Sequence, residues 1–270
     1  MNLPTDYNLE EINLHRAVQL LSLTGVNLIP SLPDDSQNTQ VWDPSSEMIL
    51  GRLFAIDGKN YKMGINLSPF SLSLLSEDLQ VLQSIDIGGL DQPALYSIWA
   101  DWIANLGYRN ELVTKLHYEL PENAHYKINN FNGLTNEFNT AWKELRTMAN
   151  LAMIALNQIS GNTSEINVWP HHFDTGVYYS ITEAKGETTQ SIGAGLAIAD
   201  SMINEPYFYV YGWTKDGSID YSAAPSNTNG QWITEGWQGA VLKASDVSNI
   251  EETNAFFKEA YDFLLNQLKN

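Results

Sequence analysis

The chain has 270 residues and a formal charge of −18, from 14 basic and 32 acidic side chains. With no cysteine it forms no disulfide and no thiolate metal site. The acidity argues against nucleic acid and anionic membranes, which need a basic surface, and favours neutral or cationic ligands.

The best candidate basic patch, "KELR" at 143–146, is interrupted by Glu144. With 43% hydrophobic and 11% aromatic residues the chain can build a sizeable core. "MNLPTDYNLEEIN" lacks the basic and apolar regions of a secretory signal. No stretch approaches the ~18 apolar residues of a membrane span, so a cytoplasmic protein is expected. Oligomeric state and cofactors are not readable.

In chain order, residues 8–22 read as an amphipathic helix, with Leu14, Ala17, Val18 and Leu21 at helical spacing. His15 flanks that stripe and reads as a surface or hydrogen-bonded structural residue. After a polar loop, Asp57-Gly58 separates two β-prone runs and marks a hairpin. Strands at 70–75 and 79–85 complete an antiparallel meander. Residues 92–107 are helical, with Ala94, Ile98, Trp102 and Leu106 about one turn apart and Gly107 as a cap. A short strand is expected at 114–120, with His117 an ordinary member, and a loop from 125. A long helix follows from 137 to 159.

The remainder reads as strands at 165–169, 172–182, 191–199, 206–213 and 231–242, closed by a helix at 250–268. That helix would turn Ile250, Ala255, Phe256, Ala260, Phe263 and Leu264 inward. The pattern predicts an α+β fold, with antiparallel sheets in two halves and helices packed on one face. The halves would be 1–130 and 131–270, the latter carrying the candidate site, or one compact unit. "GAG" at 193–195 lies inside a strand and lacks the context of a phosphate loop.

The segment "NVWPHHFDTGVYYS", 167–180, carries the candidate chemistry. As one strand from 171, its odd positions, His171 to Tyr179, form a core face. Its even positions place His172, Asp174 and Tyr178 on a polar face around Gly176. The two histidines would then point to opposite sides. His172 and Asp174 become the pair of interest, because a nearby aspartate orients an imidazole. In "EPYFYVYGW", Tyr207, Tyr209, Tyr211 and Trp213 share one side, with Glu205 leading in. Gly193 and Gly195 belong to a row of small residues, which leaves room for a ligand, large neighbouring side chains or a helix. "TEGWQGAVL" adds Glu235 and Trp237 on one parity. The expected outcome is a concave pocket with the glycine row as an open floor and Glu205 and Glu235 at its edge.

"WPHHFD", "SIGAGL", "EPYFYVY" and "TEGWQGAVL" resemble the shared segments of an uncharacterised bacterial family, a domain of unknown function, over about 165–245. A more distant group resembles it with W-G-S-F-D in place of W-P-H-H-F-D. The resemblance implies that the common fold does not need the histidines, and that Asp174 is retained. Relatives tend to have Gly-Asp where this chain has Ala199-Asp200, which leaves Asp200 a weaker candidate. The family implies no activity.

Three functions fit these residues. The first is binding of a small neutral or cationic molecule by aromatic rings and carboxylates. The second is a hydrolase-like enzyme, with His172 as acid or base and Asp174 orienting it. In a metal-dependent form His172 and Asp174 would be ligands, with Glu205 or Glu235 as a further one. Glu205 and Glu235 would also suit glycoside hydrolysis at the right separation. The third is a non-catalytic interaction module. None of the standard nucleophile or metalloprotease motifs is present.

Overall fold

The computed structural model describes residues 1–121, 130–226 and 229–269. The described residues hold two antiparallel sheets and four α-helices, an α+β fold. The chain divides into two compact units. The N-terminal unit is Pro4–Lys143 with Val168–Phe173. The C-terminal unit is Met1–Leu3, Glu144–Asn167 and Asp174–Asn270.

In the N-terminal unit, helix α1 (Tyr7–Leu28) is buried along most of its length. Its polar residues are therefore hydrogen-bonded inside. Asn13 donates to the Asn132 carbonyl at 2.8 Å, and Gln19 to the Pro170 carbonyl at 2.8 Å. His15, fully buried, donates from Nε2 to the same carbonyl at 2.8 Å and stacks on Phe173. The sheet contains β1 (Val41–Asp43), β2 (Met48–Leu50), β3 (Phe54–Ile56), β4 (Lys59–Leu67), β5 (Phe70–Ser76) and β6 (Val81–Asp86). Its order is β1-β2-β4-β5-β6, with β3 also paired to β4. Asp57 and Gly58, both at positive φ, make the β3–β4 hairpin.

Helix α2 (Gln92–Asn105) is capped by Asp91, which accepts the Ala94 N–H. Its inward face is Leu95, Trp99, Trp102 and Ile103. The apolar pattern placed that face one position away, on Ala94 and Ile98, because Trp99 supplies the larger buried body. The expected strand at 114–120 is not formed. Tyr118 there donates to Gln19 Oε1 and Ser22 Oγ of α1, so side-chain anchoring replaces a ladder. Of the loop expected from 125, residues 125–129 lie outside the described residues.

Helix α3 (Asn136–Ser160) and strand β7 (Asn167–Trp169) each contribute residues to both units. The C-terminal unit holds β8 (Asp174–Ala184), β9 (Glu187–Ala197), β10 (Tyr207–Thr214), β11 (Gln231–Ile233), β12 (Gly239–Lys243) and helix α4 (Ile250–Lys269). These five strands run β11-β12-β10-β9-β8. The single strand expected at 231–242 is two, separated by a turn in which Gly236 takes positive φ. Phe208, Val210 and Gly212 turn toward α4. Phe208 meets Phe257 edge-on, and a Cβ on Gly212 would press on Leu264. On α4 the buried face includes Phe257 and Tyr261, whereas Ala255 is exposed. Tyr179 donates to Asn157 of α3 at 2.9 Å. No helix among the described residues is long and apolar enough to cross a membrane.

Candidate functional site

The strand expected from 171 begins at Asp174. Residues 170–173 form a turn, which Phe173 closes at positive φ while donating its N–H to the Trp169 carbonyl. The turn exists because Pro170 cannot continue a ladder and its carbonyl is held by His15 and Gln19. The adjacent histidines therefore do not point to opposite faces of a strand: their rings lie 4.6 Å apart. His171 also lies edge-on to Trp169 and Tyr118. His171 and His172 belong to the N-terminal unit and Asp174 to the C-terminal one.

From Asp174 onward the alternation holds. Thr175, Val177 and Tyr179 are buried, whereas Tyr178 and Ser180 are exposed. Register carries this across three strands. Gly176 pairs with Gly195, which pairs with Tyr209; Tyr178 pairs with Gly193, which pairs with Tyr211. Trp213 follows opposite Ser191. Asp174, Tyr178, Tyr209, Tyr211 and Trp213 thus share the face opposite the one that meets α4.

The glycine row is not an open floor, because the tyrosine rings fill it. A Cβ on Gly193 would come within 2.3 Å of the Tyr211 ring, and one on Gly195 within 2.8 Å of the Tyr209 hydroxyl. Each ring from β10 lies across β9 where a side chain is missing. The two rings stack at 6.1 Å and 29°. Trp237 lies 6.5 Å from Tyr209 and 6.4 Å from Tyr211, at 89° and 61° to them. It folds over Gly239, where a Cβ would meet its ring at 2.5 Å. The Tyr209 hydroxyl donates to Asp174 Oδ2 at 2.5 Å. The result is two tyrosine faces side by side, a tryptophan standing against them and a carboxylate at one end.

The other expected residues take different places. Tyr207 is buried, and its hydroxyl donates to Asp200 Oδ2 at 2.7 Å. Asp200 also accepts the N–H groups of Met202 and Ile203, so it organises the turn before β10. Glu205 accepts the Ser245 N–H at 2.9 Å. Glu235 is exposed in the turn before Trp237. Among the described residues, no group of three or more His, Asp and Glu side chains is placed to hold a metal ion.

Two polar features escaped the sequence reading. His117 donates to Asp35 Oδ2 at 2.6 Å, an exposed contact across 82 positions that no local pattern signals. Arg146, read as part of a surface patch, is fully buried and donates to Thr175 Oγ1 at 2.8 Å. Lys143 of the same patch pairs with Glu47.

Burial, then the Asp174 charge, raises the pKa of Tyr209 and Tyr211; burial and the Asp200 hydrogen bond raise that of Tyr207. Their ordinary value is 10.0. Above that pH the unfolded chain loses protons that the folded chain keeps. Stability from these groups is therefore complete below pH 10 and falls as pH rises toward the folded values. Urea midpoints measured above that pH should decline with pH, and less steeply in Tyr209→Phe. An equal slope in the variant would show that Tyr209 does not contribute.

Comparison with protein-family models, curated proteins and solved structures finds no match to this chain.

Proposed function

We propose that this protein binds a small neutral or cationic molecule on the outer face of its C-terminal sheet. The observation that carries this reading is the Tyr209–Tyr211–Trp237 cluster with Asp174 hydrogen-bonded at its end. Around it, Tyr178, Trp213 and Trp237 remain 46%, 44% and 37% exposed. Trp237 is both held against the tyrosines and left in water, and an anchored ring of this kind is a favourable surface for a flat or compact ligand, because little side-chain entropy remains to be lost on binding.

The hydrolase-like alternative needs His172 hydrogen-bonded to Asp174, whereas the hydrogen bond on Asp174 comes from Tyr209. The binding reading uses residues of one unit only. The resemblance to the more distant group with W-G-S-F-D fits it as well, since that group keeps the aspartate without the histidines.

Tryptophan fluorescence, titrated with choline chloride and separately with methyl glucoside, tests this reading. At least one should give a saturable change that Trp237→Ala and Tyr211→Ala remove. No saturable change with either up to about 10 mM, a range that covers very weak binding, contradicts the proposal.

A further inference from the structure

We infer that the ligand is a monovalent organic cation of the quaternary-ammonium class, seated on Tyr209, Tyr211 and Trp237 beside the Asp174 carboxylate. This rests on the binding face proposed above and narrows its ligand.

The hydroxyl inventory comes first. A sugar needs donors and acceptors aligned around its ring. Here the Tyr209 and Tyr207 hydroxyls give their protons to Asp174 and Asp200, so Tyr211 and Tyr178 are the tyrosines of this face left as donors. What the site offers most of is π-faces. Aromatic faces carry negative quadrupole charge and attract a cation placed over them. Two tyrosine rings at 29° with a tryptophan at 61° and 89° to them present such faces from more than one direction.

The charge points the same way. Asp174 is in no ion pair among the described residues, and its hydrogen bond from Tyr209 leaves it further acceptor capacity. After burial, the Asp174 charge is the main influence on Tyr209 and Tyr211, and it is the smallest one at Tyr207, so its field falls chiefly on the stacked pair. Asp200 adds a second carboxylate at Tyr207. Lys243 stands opposite Tyr207 in register, two residues from the Tyr209–Val241 pair, at the end of the row away from Tyr211 and Trp213.

A primary ammonium or a guanidinium brings three or more N–H donors, each needing an acceptor when water is removed. The oxygen acceptors sit at the edge of the cluster, on Asp174 and the tyrosine hydroxyls, so N–H groups turned toward the ring faces would be left unpaired. A quaternary ammonium brings none, and its methyl groups pack on rings.

Calorimetry with choline and its uncharged analogue 3,3-dimethylbutan-1-ol, which has the same branched shape, tests the charge directly. Choline should bind roughly tenfold more tightly, the scale expected of a partly desolvated cation on aromatic faces. Asp174→Asn, which keeps an acceptor for Tyr209, should bring choline down to the level of the analogue. With the unmodified protein, added sodium chloride should weaken choline and leave the analogue unchanged. Equal affinities without salt dependence would overturn the cation inference while leaving a binding face. Binding of methyl glucoside without choline would do the same. Failure of all three probes would remove the binding reading itself.

Discussion

Arg146→Ala is expected to lower the unfolding free energy by about 3–5 kcal/mol, the range seen when a large or charged buried side chain is truncated. Arg146 is fully buried on α3, and its Nη1 donates to Thr175, which is also buried. Removing it leaves a void the size of an extended side chain. It also leaves the Thr175 hydroxyl without the guanidinium, in a place water does not reach. Arg146→Met separates the two losses. It restores most of the stem volume but no donor, and should cost clearly less than the alanine variant. Lysine is a poor replacement, because a point charge on a flexible stem does not reproduce a planar fork. Urea denaturation followed by circular dichroism measures all three. A loss under about 1 kcal/mol for alanine, the level of an ordinary surface substitution, would show that the buried guanidinium is dispensable.

Gly195→Ala should destabilise by about 1–3 kcal/mol, as overpacking of a close-packed site does. Gly193→Ala should cost less. The added methyl group meets different obstacles. At Gly195 it would lie 2.2 Å from the Thr175 carbonyl oxygen, which is backbone in the neighbouring strand. Relief requires β8 and β9 to move apart, against their paired register. At Gly193 the obstacle is the Tyr211 ring at 2.3 Å, a side chain that can rotate away. The Gly193 variant should therefore fold nearly normally but lose the Tyr209–Tyr211 stack. That makes it a binding-defective protein with near-native stability. Equal destabilisation by the two variants would mean that the Tyr211 ring has no freedom to yield.

Strand alternation was legible from Asp174 onward because both faces have clear chemistry: Val177 and Tyr179 inward, Tyr178 outward. The Tyr row was legible for the same reason, with Phe208 and Val210 as its apolar opposite. The turn at 170–173 was not. It depends on the Pro170 carbonyl meeting His15 and Gln19, some 150 residues earlier, and no local pattern contains that contact. The glycine row was recognised as space, but its occupant was open. Cross-strand register decides it: Gly193 and Gly195 stand opposite Tyr211 and Tyr209, and pairing partners are set by the folded sheet. The two-strand form of 231–242 was missed because "TEGWQG" keeps its alternation through a turn. Trp237 reaches the cluster only because that turn folds it over Gly239.

The most direct test of the binding face is to follow the indole N–H resonances of the eight tryptophans by nitrogen-15 NMR while choline is added. The account predicts a saturable shift at Trp237, assigned with Trp237→Phe. Trp99 and Trp142, both fully buried in the N-terminal unit, should stay in place as internal references. A saturable shift confined to tryptophans other than Trp237, or a spectrum unchanged by millimolar choline and by millimolar methyl glucoside alike, would contradict it.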